Sequence, residues 1–369
     1  MSTAAVVCDP GRLGSLEDDW RRLAELAGNP YLTPEWHAAC RARPGAIPVV
    51  VAVRGAGGEL RGVLPLLRVA AGPLRWLRFP GDDLGDSYAM LVAPGEDAAE
   101  VARLAGRALR ASGLGWDALA LYYVDPAAPW LDALLDGLGG MATMRRSEAV
   151  RPYVDLSEVD WAGYLATLKR TDRKETRRRE RRVLEAGASY RLLDDPAQAT
   201  EGMAVLFLLH DMRWTDRGGS SLAAQEPRTL LSRFAADAAA RGWLRLWLLE
   251  MDGEPVAAEL AWRIGGRQLH FQGGFDPARG QLGVGLVLFA HALEDAVESG
   301  VDEADLGWGE SDYKRRYGHA ARTVPLLVAM RRRHPLRPVV AAALRGRREL
   351  AARLSPEHRA RLSRLLRRR

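Results

Sequence analysis

The chain has 369 residues, 47% hydrophobic and 27% charged, an ordinary balance for a folded protein with its own core, and the length predicts two domains plus an appendage. The two cysteines, Cys8 and Cys40, lie outside any C-x-x-C or Cys/His spacing, which argues against a zinc site or a disulfide framework. The net charge of +6 is uneven: residues 331–369 carry 14 arginines against Glu349 and Glu357, which leaves 39 basic and 45 acidic residues before them and weakens a nucleic-acid reading of the body.

Residues 1–11 have no basic segment and only a short apolar stretch, and no run approaches the roughly 18 apolar residues that a membrane span needs. A cytoplasmic protein is expected. Helical spacing covers 16–27, and a second helix over 34–43 has Thr33 placed to cap it and Pro34 at its first position. Strands over 47–53 and 60–67 flank Gly55-Ala56-Gly57-Gly58, a hairpin signal. A helix over 97–112, a strand over 118–123 and a helix over 129–138 complete a mixed α/β unit, and 151–156 opens a second one.

In the second half, Ser157-x-x-Asp160 has a capping-box pattern for a short helix through Leu168, and Thr171 is placed to cap a charged helix ending at Gly187. Met203, Leu206, Phe207, His210 and Trp214 share one helical face. Strands over 243–251 and 254–264 join at Asp252-Gly253, and a third strand over 267–273 follows. A glycine-bearing loop, a helix over 284–298 and a strand near 303–306 end the series. Beyond Met330 the composition turns basic, with two Arg-rich helices expected over 337–354 and 355–369, the second capped by Ser355. A solvated tail packed on the body and a tail docking on an anionic surface both fit.

Chemistry enters at Gly280-Gln281-Leu282-Gly283-Val284-Gly285, between a strand and a helix. Glycines there free backbone N–H groups to approach a pyrophosphate at the positive helix end, although a structural turn has the same composition. No Gly-Lys-Ser/Thr follows, so the loop is not a Walker loop. The element order around it resembles the acyl-CoA loop of GNAT N-acyltransferases, with the pattern Gln/Arg-x-x-Gly-x-Gly/Ala. Gly283 and Gly285 match its two small positions, and Gly280 stands where Gln or Arg is expected.

A more particular likeness runs through 30–36, Val63-Leu64-Pro65-Leu66, Phe79-Pro80-Gly81 with Asp86-Ser87-Tyr88, the basic helix over 168–182, His210 to Trp214, and 312–318. In this order the pieces resemble the CelD-like and FemAB-like acyltransferases built from tandem GNAT units. The resemblance implies an α/β (α+β) fold with two GNAT-like domains, 1–150 and an acyl-donor domain over 151–330. Each has a mixed central sheet flanked by helices, and a basic helical tail over 331–369 follows. It also implies a cleft between the domains, an acyl-CoA co-substrate held by Gln281, Leu282, Gly283, Val284 and Gly285, no metal, and a small-molecule or peptide amine as acceptor. Two alternatives stay open: Fem-like transfer of an aminoacyl group from tRNA to a cell-envelope precursor, and an inactive binding or scaffold protein in envelope polysaccharide assembly.

Residue by residue, Tyr313-Lys314-Arg315-Arg316-Tyr317-Gly318 fits the Fem-type segment whose lysine lies at the substrate cleft. The resemblance gives Lys314 an electrostatic role, of a kind worth about 2.7 to 4 kcal/mol where charge develops. Amine acylation also needs a proton acceptor, because only the neutral amine attacks. Glu259, Asp305, Glu310 and Asp312 are candidates, with Tyr313 or Tyr317 able to protonate a leaving thiolate. Strand alternation sets Glu259 opposite Ala258, Leu260 and Trp262, which also suits an exposed glutamate.

His210 and Trp214 line an acceptor pocket or form a packed core pair. Asp86 and Tyr88 face substrate or serve a turn. Between Lys169 and Arg182 lie nine basic and three acidic residues, so that helix, with Arg173 and Arg177 as its substrate-side candidates, is a phosphate-binding surface or a solvated face.

Overall fold

A computed structural model describes residues 2–214, 222–309 and 311–353 and divides into two compact units. Unit 1 runs to Ala149 and resumes at Thr323, while unit 2 is Val150–Arg322.

Unit 1 begins with β1 (Thr3–Val7) and the helices α1 (Pro10–Leu13), α2 (Glu17–Leu26) and α3 (Pro34–Arg41). Thr33 caps α3 as its position predicts, its Oγ1 accepting from Trp36 N at 3.2 Å. Next come β2 (Ile47–Arg54), β3 (Leu60–Ala71), β4 (Leu74–Arg78) and the short β5 (Leu91–Val92). Then α4 (Ala98–Ala111), β6 (Ala118–Tyr122), α5 (Pro129–Leu138) and the first part of β7 (Met141–Asp155) follow. Strands β1 to β4 pair antiparallel in sequence order, and the α4 crossover sets β6 parallel to β4. All of β6 is buried.

Helices α4 and α5 approach closely because both carry glycine at the contact. A Cβ on Gly106 would lie 2.4 Å from Leu134 O, and one on Gly137 would lie 2.3 Å from Arg103 O.

Unit 2 takes the rest of β7 and adds α6 (Trp161–Thr167), α7 (Arg170–Glu185), β8 (Ser189–Leu193), α8 (Pro196–Trp214) and α9 (Gln225–Ala240). Strands β9 (Leu244–Met251), β10 (Glu254–Ile264) and β11 (Arg267–Phe275) lead to α10 (Val284–Glu298), β12 (Glu303–Asp305) and α11 (Asp312–Tyr317). Strands β8 to β11 are antiparallel, β12 is parallel to β11 across α10, and β7 closes antiparallel on β12. The Asp252-Gly253 turn has positive φ at both residues, 56° and 80°, as a tight hairpin requires.

Two caps differ from expectation. Asp160, not Ser157, caps α6, with Oδ1 accepting from Gly163 N at 2.6 Å, while Ser157 N donates to Asp155 Oδ1 at 3.0 Å. Helix α7 starts one residue before Thr171, at Arg170, with no side-chain cap.

The last strand, β13 (Ala320–Arg331), returns to unit 1, where Leu326–Met330 pair antiparallel with Tyr122–Ala118 of β6. Residues 323–330, assigned from sequence to the second domain, are therefore part of the unit 1 sheet. Val340 and Leu344 of the first tail helix, α12 (Arg337–Arg353), join the apolar cluster of the same unit that holds Leu74 and Val328, as does Leu336 just before the helix. The expected helix over 355–369 and the candidate Glu310 lie outside the described residues. Among the described residues no helix is long and apolar enough to cross a membrane.

Candidate active site

Strands β11 and β12 pair only from Arg267↔Glu303 to Leu269↔Asp305, whereas β11 continues along β10 to Phe275. Past that point one edge of β11 is free of β12, and a cavity of about 160 Å³ opens beside it, entirely within unit 2. Gly273, Gly274 and Phe275 form one wall, and Gly283, Val284 and Gly285 lie at the start of α10. Glu259, Tyr313, Arg213 and Arg179 bring the polar groups.

The floor is built by backbone conformation. Asp276 Oδ1 accepts from Ala278 N at 2.9 Å and starts a single 3-10 segment that ends at Gly283, which has φ +74°. Gly283 O accepts from the N–H groups of Leu286 and Val287 at 2.9 and 3.0 Å, starting α10 with no side-chain cap. The N–H groups of Val284 and Gly285 have no backbone acceptor among the described residues and sit at the cavity. Arg179 stands over this helix end: a Cβ on Gly283 would come within 2.9 Å of its guanidinium, and Glu175 holds it at 2.5 Å. A positive helix terminus flanked by an arginine suits a phosphate or another anion.

The crossover in unit 1 differs. There Asp97 Oδ1 accepts from Ala99 N and Glu100 N at 2.9 and 3.2 Å, so the α4 terminus already holds a carboxylate.

Glu259 is buried, with 9% exposure, on the cavity side of β10. The sequence leaves an exposed glutamate open as a reading. The sheet buries this one by setting it opposite Gly273, where a Cβ would lie 2.4 Å from Oε2. Its other oxygen, Oε1, meets His270 Nδ1 at 3.0 Å. Tyr313, on α11, packs edge-on against Phe289 at 5.0 Å. Burial and then the nearby Glu259 carboxylate push its phenol well above the usual tyrosine range, with Arg213 opposing. The phenol therefore keeps its proton at working pH and stays a donor.

The remaining candidates are scattered. Lys314 Nζ donates to the Trp308 carbonyl at 2.8 Å and does not line the cavity. Asp312 is exposed and paired with Arg315, and Asp305 is buried against Arg151. The Tyr317 hydroxyl shares a hydrogen bond with Thr176 Oγ1 at 2.9 Å inside the core. Gln281 is exposed and Leu282 packs into a neighbouring apolar cluster, so of the five residues assigned to acyl-CoA from sequence Gly283, Val284 and Gly285 reach the cavity, and Gly280 joins them there.

Arg173 donates to Ala166 O at 3.3 Å, and Arg177 is exposed on α7. His210 is fully buried, its Nε2 2.5 Å from Gln272, and burial lowers its pKa to about 4. The Trp214 ring lies 6.0 Å from it. These two pack where Gly274 lets α8 approach β11, since a Cβ there would be 2.4 Å from His210 N. In unit 1, Asp86 is buried and the Tyr88 hydroxyl donates to the carbonyls of Pro80 and Gly81 at 3.0 and 2.7 Å.

Residues 170–315 match the family model described as "Acetyltransferase (GNAT) domain". No curated protein matches the chain. Among solved structures, the crystal structure of FemX is similar at a TM-score of 0.65 and 13% identity, covering 88% of this chain and 98% of that one. The structure of L-PGS from Bacillus licheniformis is similar at 0.54 and 15%, covering 92% and 98%. A C-terminal DUF2156 domain from Agrobacterium fabrum is similar at 0.56 and 14%, covering 90% and 94%. At these identities the likeness concerns the fold.

Proposed function

Starting from a chain with a GNAT acetyltransferase domain over 170–315 and a fold shared with FemX, we propose an N-acyltransferase that moves an acyl group from acyl-CoA to an amine acceptor in the unit 2 cavity. The observation that carries this reading is the cavity's position: it joins an open helix terminus, a buried carboxylate and a protonated phenol where β11 leaves β12.

The amides of Val284 and Gly285, with Arg179, suit the diphosphate of coenzyme A. The free edge of β11 suits the thioester arm, with backbone N–H groups available to polarise its carbonyl. Glu259 takes the proton that the attacking amine loses, directly or through one water. The amine nitrogen bonds the carbonyl carbon, the C–S bond breaks, and the Tyr313 hydroxyl hydrogen-bonds the leaving sulfur. On this reading the protein works in the cytoplasm.

A second reading, transfer of an aminoacyl group from tRNA, is favoured by α7, where Lys174 and Arg177 project without an ion-pair partner among the described residues.

Calorimetric titration with coenzyme A, followed by thiol release from an acyl-CoA panel with amine acceptors, separates these readings. We expect coenzyme A to bind and Gly283→Ala to weaken it about tenfold, because a Cβ at this positive φ costs roughly 1–2 kcal/mol and displaces Arg179. Binding of charged tRNA with a steep salt dependence and no coenzyme A binding would select the second reading. Neither form of binding, and no transfer, would leave a protein that is not a transferase.

A further inference from the structure

The buried polar side chains behind Glu259 form an ordered chain with only one consistent assignment of protons. Gln268, on β11, is fully buried. Its Oε1 lies 3.0 and 2.7 Å from Arg263 Nε and Nη2, which can only donate, so that end of the amide is the oxygen. Its Nε2 donates to Ala292 O at 2.8 Å, which fixes the same orientation independently. The second hydrogen on Nε2 points to His270 Nε2, 3.3 Å away. That ring nitrogen must therefore accept, and the imidazole proton sits on Nδ1, facing Glu259 Oε1 at 3.0 Å. Arg263 is anchored in turn by Asp295 on α10.

We infer that His270 is a positioning residue for the proposed transfer: held as the neutral Nδ1–H tautomer by Gln268 and Arg263, it fixes Glu259 Oε1 and leaves Oε2 over Gly273 to take the acceptor proton. This inference rests on the reading of Glu259 as the base. His270 itself is no proton carrier, because both ring nitrogens are engaged and the ring is buried against Phe289 at 4.9 Å.

The tautomer is a property of the resting protein and can be read without turnover. Long-range ¹H–¹⁵N correlation on ¹⁵N-histidine-labelled protein, with His270 assigned by comparison with His270→Asn, is expected to show Nδ1 protonated and Nε2 bare. Gln268→Leu is expected to release the ring into a tautomer mixture. In the transfer assay, His270→Phe, which keeps the packing on Phe289, is expected to lower kcat at least about tenfold with the acyl-CoA KM unchanged. His270→Asn, whose amide nitrogen falls near Nδ1, is expected to restore most of that loss.

An Nε2–H tautomer in the native protein overturns the inference, as does a His270→Phe kcat within about twofold of the parent. His270→Asn as slow as His270→Phe also overturns it, since packing alone would then explain the residue. Absence of transfer in the parent protein would instead sink the proposed reaction, and the tautomer would still decide the proton assignment.

Discussion

Glu259 presents two oxygens to different surroundings, one to His270 and one to Gly273 at the cavity. Glu259→Gln keeps the shape and an acceptor for His270 while removing the basic oxygen. Turnover at saturating acyl-CoA and amine should fall about 10²–10⁴-fold with little change in the melting temperature. A drop of less than about threefold in the thiol-release assay would move the proton to another acceptor. Strand alternation in the sequence already puts Glu259 opposite Leu260 and Trp262, but it does not say whether that face meets solvent. The answer depends on β11, whose register slips at Leu260/Ala261.

His270 is passed over for the same reason, since one histidine in a strand reads as ordinary packing. A usable signal was present nonetheless: Gln268 and His270 flank Leu269, two polar side chains on one face of a strand in an apolar sheet, while the register slip beyond His270 turns Gln272 to His210 on the other face. Lys314 illustrates the opposite case. Its motif is legible, yet the helix it starts turns its ammonium onto the Trp308 carbonyl while Tyr313 faces the cavity.

Among the elements, α10 serves at two places along its length. One end offers the open amides, and farther along Glu294 lies among carboxylates. Burial, then Glu180 on α7 and Glu298, raise the Glu294 pKa to about 7. A folded-state value above the unfolded one means that the neutral acid is favoured inside. The associated stability is present in full below about pH 4.3 and is lost as pH rises through about 7.

Glu294→Gln, which mimics the neutral acid, should therefore raise the melting temperature at pH 8 by about 2–4 °C, after allowing for solvent screening, and flatten its dependence between about pH 6 and 8. Parallel melting curves for the two proteins across that interval would show that Glu294 is ionised in both states. The helices and the β9–β10–β11 run are well marked in the sequence because their periods are regular and Asp252-Gly253 punctuates them. Strands β7 and β13 are not, since Arg145, Arg146 and Glu148 interrupt one, and Ala320-Ala321-Arg322-Thr323 opens the other without an apolar pattern.

For the whole molecule, unit 2 is continuous in sequence and unit 1 is not. A fragment covering 150–322 should fold alone, with cooperative melting by circular dichroism and protection from limited proteolysis. A fragment covering 1–149 should not, because it lacks the strand that covers β6, and supplying residues 323–353 as a separate peptide should restore its protection. Rapid proteolysis of the 150–322 fragment would mean that unit 2 depends on its neighbour for stability.

The late return of β13 also sets an order on synthesis. The partner of Tyr122 is Leu326, so roughly 200 residues separate two strands that lie side by side. At about 5–20 residues per second on the ribosome, the open edge of β6 waits about 10–40 s for its cover, while unit 2 is completed in the interval. Throughout that wait a row of unpaired backbone groups is available to any neighbouring nascent chain. The unit translated first is therefore finished last, and slower elongation between Tyr122 and Leu326 should increase aggregation of the newborn protein without changing the folded product.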